Sequence, residues 1–177
     1  IERVKAIYAA VGDKALLRLD ANQGWTPKQT VSALRELESS GVELEFVEQP
    51  VRGDDVEGMR YVTERVSTPV MADESTFGPR EVIELIQMRG ADIINIKLMK
   101  CGGMRAARRM VDVARALGMK VMLGCMTETS CAVSAAAQLS PLMDWADLDG
   151  NLLIANDVFR GVRIVDGKVT IPDSPGI

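Results

Sequence analysis

Apolar residues recur along this chain in two periods that take turns. Six short apolar runs have the length of strands: ALLRLD at 15–20, VELEFVEQ at 42–49, PVMADE at 69–74, DIINIKL at 92–98, KVMLG at 120–124 and MDWADLD at 143–149. Between them the apolar positions move to helical spacing. Val31, Leu34 and Leu37 form one such face, Val56, Met59, Val62 and Val66 a second, and Ala107, Met110, Val111, Ala114 and Leu117 a third.

The punctuation agrees with the periods. Thr26, Pro27 and Gln29 supply an N-cap, a first-turn proline and the far half of a capping box. DDVE at 54–57 opens another helix, and Gly41, Gly90 and Gly118 stand where helices should stop. Further helices are predicted over 79–89, 103–117 and about 129–139, and IERVKAI at the start also reads as helix. Residues 151–177 read as a closing segment with a small hairpin around Asp166 and Gly167.

Six strand-then-helix units result, the last helix being weakly marked. Their strands end near 20, 48, 73, 97, 124 and 147, at intervals of 28, 25, 24, 27 and 23 residues. Such units build parallel sheets with right-handed crossovers. A doubly wound sheet satisfies the pattern, and so does a (β/α)8 barrel lacking two units. No G-x-G-x-x-G and no phosphate loop is present, which counts against a nucleotide fold.

Composition narrows the chemistry more than the fold. The 177 residues suit one domain over 1–177. A net charge of −4 offers no basic field for nucleic acid or an anionic membrane surface. No apolar run reaches the roughly 18 to 20 residues of a membrane span, and no signal-peptide pattern opens the chain. Cys101, Cys125 and Cys131 are odd in number and lack metal-ligand spacing, which suits a reducing, cytoplasmic setting. There is no histidine, so acid–base work falls to carboxylates, lysine, tyrosine or cysteine.

The strand ends carry Asp20, Glu48, Asp73 and Lys97, then the pair Asp147 and Asp149. Parallel α/β folds place their active sites at these ends. Apolar strands have no structural need for a charge at each end, and converging carboxylates repel one another at low dielectric. A divalent cation removes that repulsion. An all-oxygen ligand set points to Mg²⁺, with Mn²⁺ as the alternative. A lysine in such a mouth can have its pKa lowered enough to act as a base.

At this level of detail DANQGW, VEQP, MADES, INIKLMKCGG and DLDG resemble the enolase superfamily, in its muconate-lactonizing subgroup, and most of all its dipeptide epimerases. The resemblance implies a partial TIM-like (β/α)7β barrel, without the N-terminal capping domain and the first barrel strands. It implies that Asp20, Glu48 and Asp73 hold Mg²⁺ and that Lys97 removes an α-proton, with an enediolate stabilised by the metal. Asp147 and Asp149 would then hold a dipeptide's α-ammonium group, while Glu128 and Asn22 line or support the substrate site. A homo-oligomer is expected of the full-length enzyme. The family's second base, in a Lys-x-Lys motif on the second barrel strand, has no counterpart here, since Lys5 and Lys14 fall on a helix and at a strand start. One base alone does not epimerise, so the isolated chain is expected to be inactive in that reaction.

Two rival readings stand beside this one. The first is a sister reaction: N-acylamino acid racemisation, o-succinylbenzoate synthesis or muconate cycloisomerisation. The second is a non-catalytic, metal-binding barrel fragment. Among the remaining residues, Arg18 is expected to pair with a carboxylate of a neighbouring strand, Asn95 to hydrogen-bond internally, Lys100 to brace a loop and Trp25 to pack.

Overall fold

The computed structural model describes residues 1–173 and 176–177. The chain divides into two compact units: Ile1–Thr76 with Ile83–Ile94, and Phe77–Val82 with Asn95–Ile177. Strand order follows chain order from β1 to β6. That order separates the two topologies left open above. A doubly wound sheet reverses its order at a switch point, whereas strands of a (β/α) barrel follow one another around it. No helix among the described residues is long and apolar enough to cross a membrane.

The first unit contains α1 (Glu2–Val11), β1 (Leu17–Asp20), α2 (Pro27–Ser39), β2 (Leu44–Glu48), α3 (Val56–Thr63) and β3 (Val70–Ala72). Most of α4 (Pro79–Met88) and the start of β4 (Ile93–Lys97) complete it. Its strands are parallel and in register: Asp20 lies opposite Glu48, Glu48 opposite Met71, and Ala72 opposite Ile94. The expected capping box closes the start of α2, with Gln29 N–H donating to Thr26 Oγ1 and Thr26 N–H donating to Gln29 Oε1. Asp55 rather than Asp54 caps α3, accepting from Gly58 N–H at 2.8 Å. Asp54 instead pairs with Arg52. Leu34, Leu37, Phe46, Val47, Met59, Val62, Met71 and Leu85 are fully or almost fully buried and make the core.

The second unit holds the end of β4, then α5 (Leu98–Cys101), α6 (Met104–Ala116), β5 (Lys120–Gly124), α7 (Ser130–Ala137) and β6 (Trp145–Ala146). A hairpin of β7 (Arg163–Val165) and β8 (Lys168–Thr170) follows. Its two-residue turn is the expected one, with Asp166 and Gly167 at φ +49° and +73°. Ile96, Ala107, Met110, Ala114, Val121, Leu123 and Val133 form the core.

The structure departs from the sequence expectations in three places. The run 143–149 is not one strand: β6 covers only Trp145–Ala146, and Asp149 turns the chain at φ −99°, ψ 1° into a 3-10 turn at Gly150–Leu153. The one-turn helix α5 was not predicted; it follows Lys97 directly and stops at Gly102, whose φ is +84°. The N-terminus of α7 is capped from a distance. Thr129 makes no side-chain cap, and Asp157 of the closing segment accepts from Ser130 N–H at 2.6 Å. A bond from Phe159 N–H, and after it the one from Ser130 N–H, holds the Asp157 carboxyl below its usual pKa.

Candidate functional site

In the first unit three carboxylates stand at neighbouring strand ends. Asp20 and Glu48 are the last residues of β1 and β2 and face each other in register, and Asp73 follows β3 directly. Glu48 is 7% exposed and Asp73 4% exposed, while Asp20 is open to solvent. Buried carboxylates are costly without compensation. Among the described residues no three His, Cys, Asp or Glu side chains are gathered as a ready-made cage. The donor set, three carboxylates from adjacent strands with two of them buried, nevertheless has the all-oxygen chemistry of a Mg²⁺ site.

Asn22 serves Asp20. Its N–H donates to Asp20 Oδ1 at 2.8 Å and its Nδ2 to Oδ2 at 3.0 Å. It does so from a left-handed turn at φ +42°, not by continuing the strand face. β1 ends at Asp20, and the chain folds Asn22 back onto it. Arg18 pairs with Glu45 of β2 at 2.6 Å and lies over the Phe46 ring.

In the second unit Lys97 is both the last residue of β4 and the residue before α5. It is half-buried, beside fully buried Asn95. Both pack over the α-carbon of Gly124, where an added Cβ would lie 2.5 Å from Asn95 Oδ1 and 3.0 Å from Lys97 Cε. Gly124 thus gives the lysine its room. Lys100 reaches back to the Asn95 carbonyl at 3.4 Å, the bracing role expected of it.

A second acidic group surrounds Cys125. Asp149 Oδ1 lies 3.9 Å from Cys125 Sγ, and Gly150 N–H donates to that sulfur at 3.2 Å. Glu128, itself buried, accepts from Met126 N–H at 2.9 Å. Burial raises the Cys125 pKa, the Gly150 N–H lowers it, and the negative charges of Asp147, Asp149 and Glu128 raise it further, so the net shift is upward. Asp147, Asp149 and Glu128 therefore all lie close enough to Cys125 for their charges to act on it. A Cβ on Gly150 would run into the Met126 carbonyl, so a glycine lets the two loops close on each other. Cys125 itself was not anticipated as part of this group.

The sequence pattern of the enolase C-terminal domain-like family matches residues 1–177. The chain belongs to that family. Among its relatives, the L-Ala-D/L-Glu epimerase of Bacillus subtilis is 44% identical over 181 residues, covering 100% of this chain and 50% of that protein. The substrate-liganded structure of the B. subtilis epimerase superposes with a TM-score of 0.92 at 43% identity, over 98% of this chain and 50% of the other. The dipeptide epimerase of Enterococcus faecalis, solved with Mg and the dipeptide L-Leu-L-Tyr, superposes with a TM-score of 0.91 at 41% identity, over 98% and 50%. The chain thus spans about half the length of these relatives and has the fold of a partial enolase-family barrel.

Within that family frame, Asp20, Glu48 and Asp73 sit in the first unit and Lys97, Glu128, Asp147 and Asp149 in the second. Gln23 and Gln49, in the strand-end loops of the first unit, carry further hydrogen bonds of the site that the sequence did not announce.

Proposed function

We propose that this chain supplies the metal-binding, proton-transfer and ammonium-binding residues for epimerising dipeptides of the L-Ala-D/L-Glu type. The observation that carries the reading is the set of three acids around Cys125, which suits a substrate bearing a free ammonium group. Its relatives named as dipeptide epimerases point the same way.

Each residue has a separate role in this reading. Asp20, Glu48 and Asp73 hold Mg²⁺, or Mn²⁺ as the alternative, with Asn22 fixing Asp20. When bound, the cation supplies positive charge that offsets the charge developing on a substrate carboxylate. Lys97 takes the α-proton from one face and returns it. Asp147 and Asp149 hold the α-ammonium, and Glu128 orders the loop beside them. Lys5 is a poor substitute for the second base: it lies on α1, bound to Glu36 at 2.9 Å, and that bond with a further contact to Glu2 raises its pKa. The three free thiols go with a reducing, cytoplasmic setting.

Asp149→Ala tests the substrate class. With Mg²⁺ present, the variant is expected to bind L-Ala-L-Glu about 10- to 100-fold more weakly, the effect of losing one hydrogen bond to a charged group. Calorimetric binding of the N-acetylated dipeptide should not change. Unaltered binding of the free amine would favour N-acylamino acid racemisation instead.

A further inference from the structure

The three strand-end loops of the first unit are tied together by two glutamine side chains. Gln49 follows Glu48 directly and is 0% exposed. Its backbone sits at φ +32°, on the left-handed side that residues other than glycine adopt only when their surroundings hold them there.

Its amide is fully used. Oε1 accepts from the N–H groups of Asp73 and Ser75 at 2.8 and 3.1 Å. Nε2 donates to the Val51 carbonyl at 3.0 Å and to Ser75 Oγ at 2.9 Å. A flipped amide would set N–H against N–H, so the network fixes its orientation. The backbone of Gln49 extends the ties, donating to the Met71 carbonyl at 2.9 Å and accepting from Gln23 N–H at 2.8 Å. Gln23 then makes a second cross-link: its Nε2 donates to Glu74 Oε1 at 3.2 Å and its Oε1 accepts from Gly53 N–H at 2.8 Å. A Cβ at Gly53 would lie 2.8 Å from the Glu74 carbonyl oxygen, so the 53 and 74 loops touch backbone to backbone.

Three carboxylates repel one another, and Mg²⁺ demands near-octahedral oxygens at roughly 2.0 to 2.1 Å. Side chains alone do not hold such a set level. We propose that Gln49 is a positioning residue for the Asp20, Glu48 and Asp73 metal site, locking the main chain at Asp73 to that at Glu48, with Gln23 as the outer tie. This rests on the metal reading given above. Gln49 touches no cation itself. It acts through the Asp73 N–H and the loop that carries Glu48.

The test is Mg²⁺ affinity by isothermal titration calorimetry on the whole chain, at a temperature where thermal melts show every variant folded. Gln49→Leu is expected to weaken binding about 10- to 100-fold, the usual effect of removing a partner outside the ligand shell. Protection of the Asp73 amide against hydrogen exchange should fall with it. Val62→Ala, a core truncation elsewhere in the same unit, should lower the melting temperature and leave the affinity unchanged. If Gln49→Leu does not fold, Ser75→Ala decides, with a several-fold loss expected. Wild-type binding that stays within twofold in the deciding variant overturns the brace and leaves the metal site standing. Absence of binding in the wild type overturns both.

Discussion

Asp73→Asn is expected to weaken Mg²⁺ binding by at least about 100-fold, read by calorimetric titration. The substitution keeps the shape of the side chain and removes its charge. Asp73 follows β3 with 4% of its surface exposed, so water is poorly placed to substitute for it as a ligand. Glu48 and Asp20 would remain, one buried and one open to solvent. A compact, strongly hydrated cation surrenders part of its water shell only to a set of oxygens carrying enough negative charge. Two carboxylates, one of them already engaged by Asn22, fall short. Titration of Asp73→Asn that matches the wild type would remove this residue from the metal site.

Lys97→Ala is expected to slow α-proton exchange of the dipeptide by about 10³-fold, within the range contributed by a positioned general base. The amine ends a strand and is seated over Gly124, so few other groups can take its place. Lys97→Arg should not restore the rate, because a guanidinium does not release its proton at working pH. The measurement is deuterium incorporation at the glutamate α-carbon, followed by NMR. Exchange in Lys97→Ala at the wild-type rate would give the proton transfer to another residue.

Much of this arrangement is legible in the sequence because it rests on short-range signals. The strand ends at 20, 48, 97 and 124, and the one at 72 beside the expected 73, come from apolar runs that stop abruptly, and the α2 capping box from residues three apart. What escaped the sequence involves left-handed turns and long-range partners. Asn22 comes back to Asp20 because its φ is +42°, a turn that the alternation of strand residues does not reveal. Asp149 joins Asp147 because the chain bends there and Gly150 lets it approach Cys125 and Met126, not because a strand continues. Gln49 looks in the sequence like the last residue of a strand before Pro50; its meaning lies in an amide that reaches Ser75, a residue 26 positions away. Asp157 caps α7 from 27 positions away, which no local capping pattern announces. Pairings of this kind depend on where the sheet brings the loops.

The 177-residue chain is incubated with Mg²⁺ in D₂O with L-Ala-L-Glu and, separately, L-Ala-D-Glu, and both α-deuteration and configuration are followed. With Lys97 as the one base, a single epimer should exchange its glutamate α-proton for deuterium and keep its configuration. Interconversion of the two dipeptides by this chain, or exchange in neither while Mg²⁺ is bound, would contradict the account.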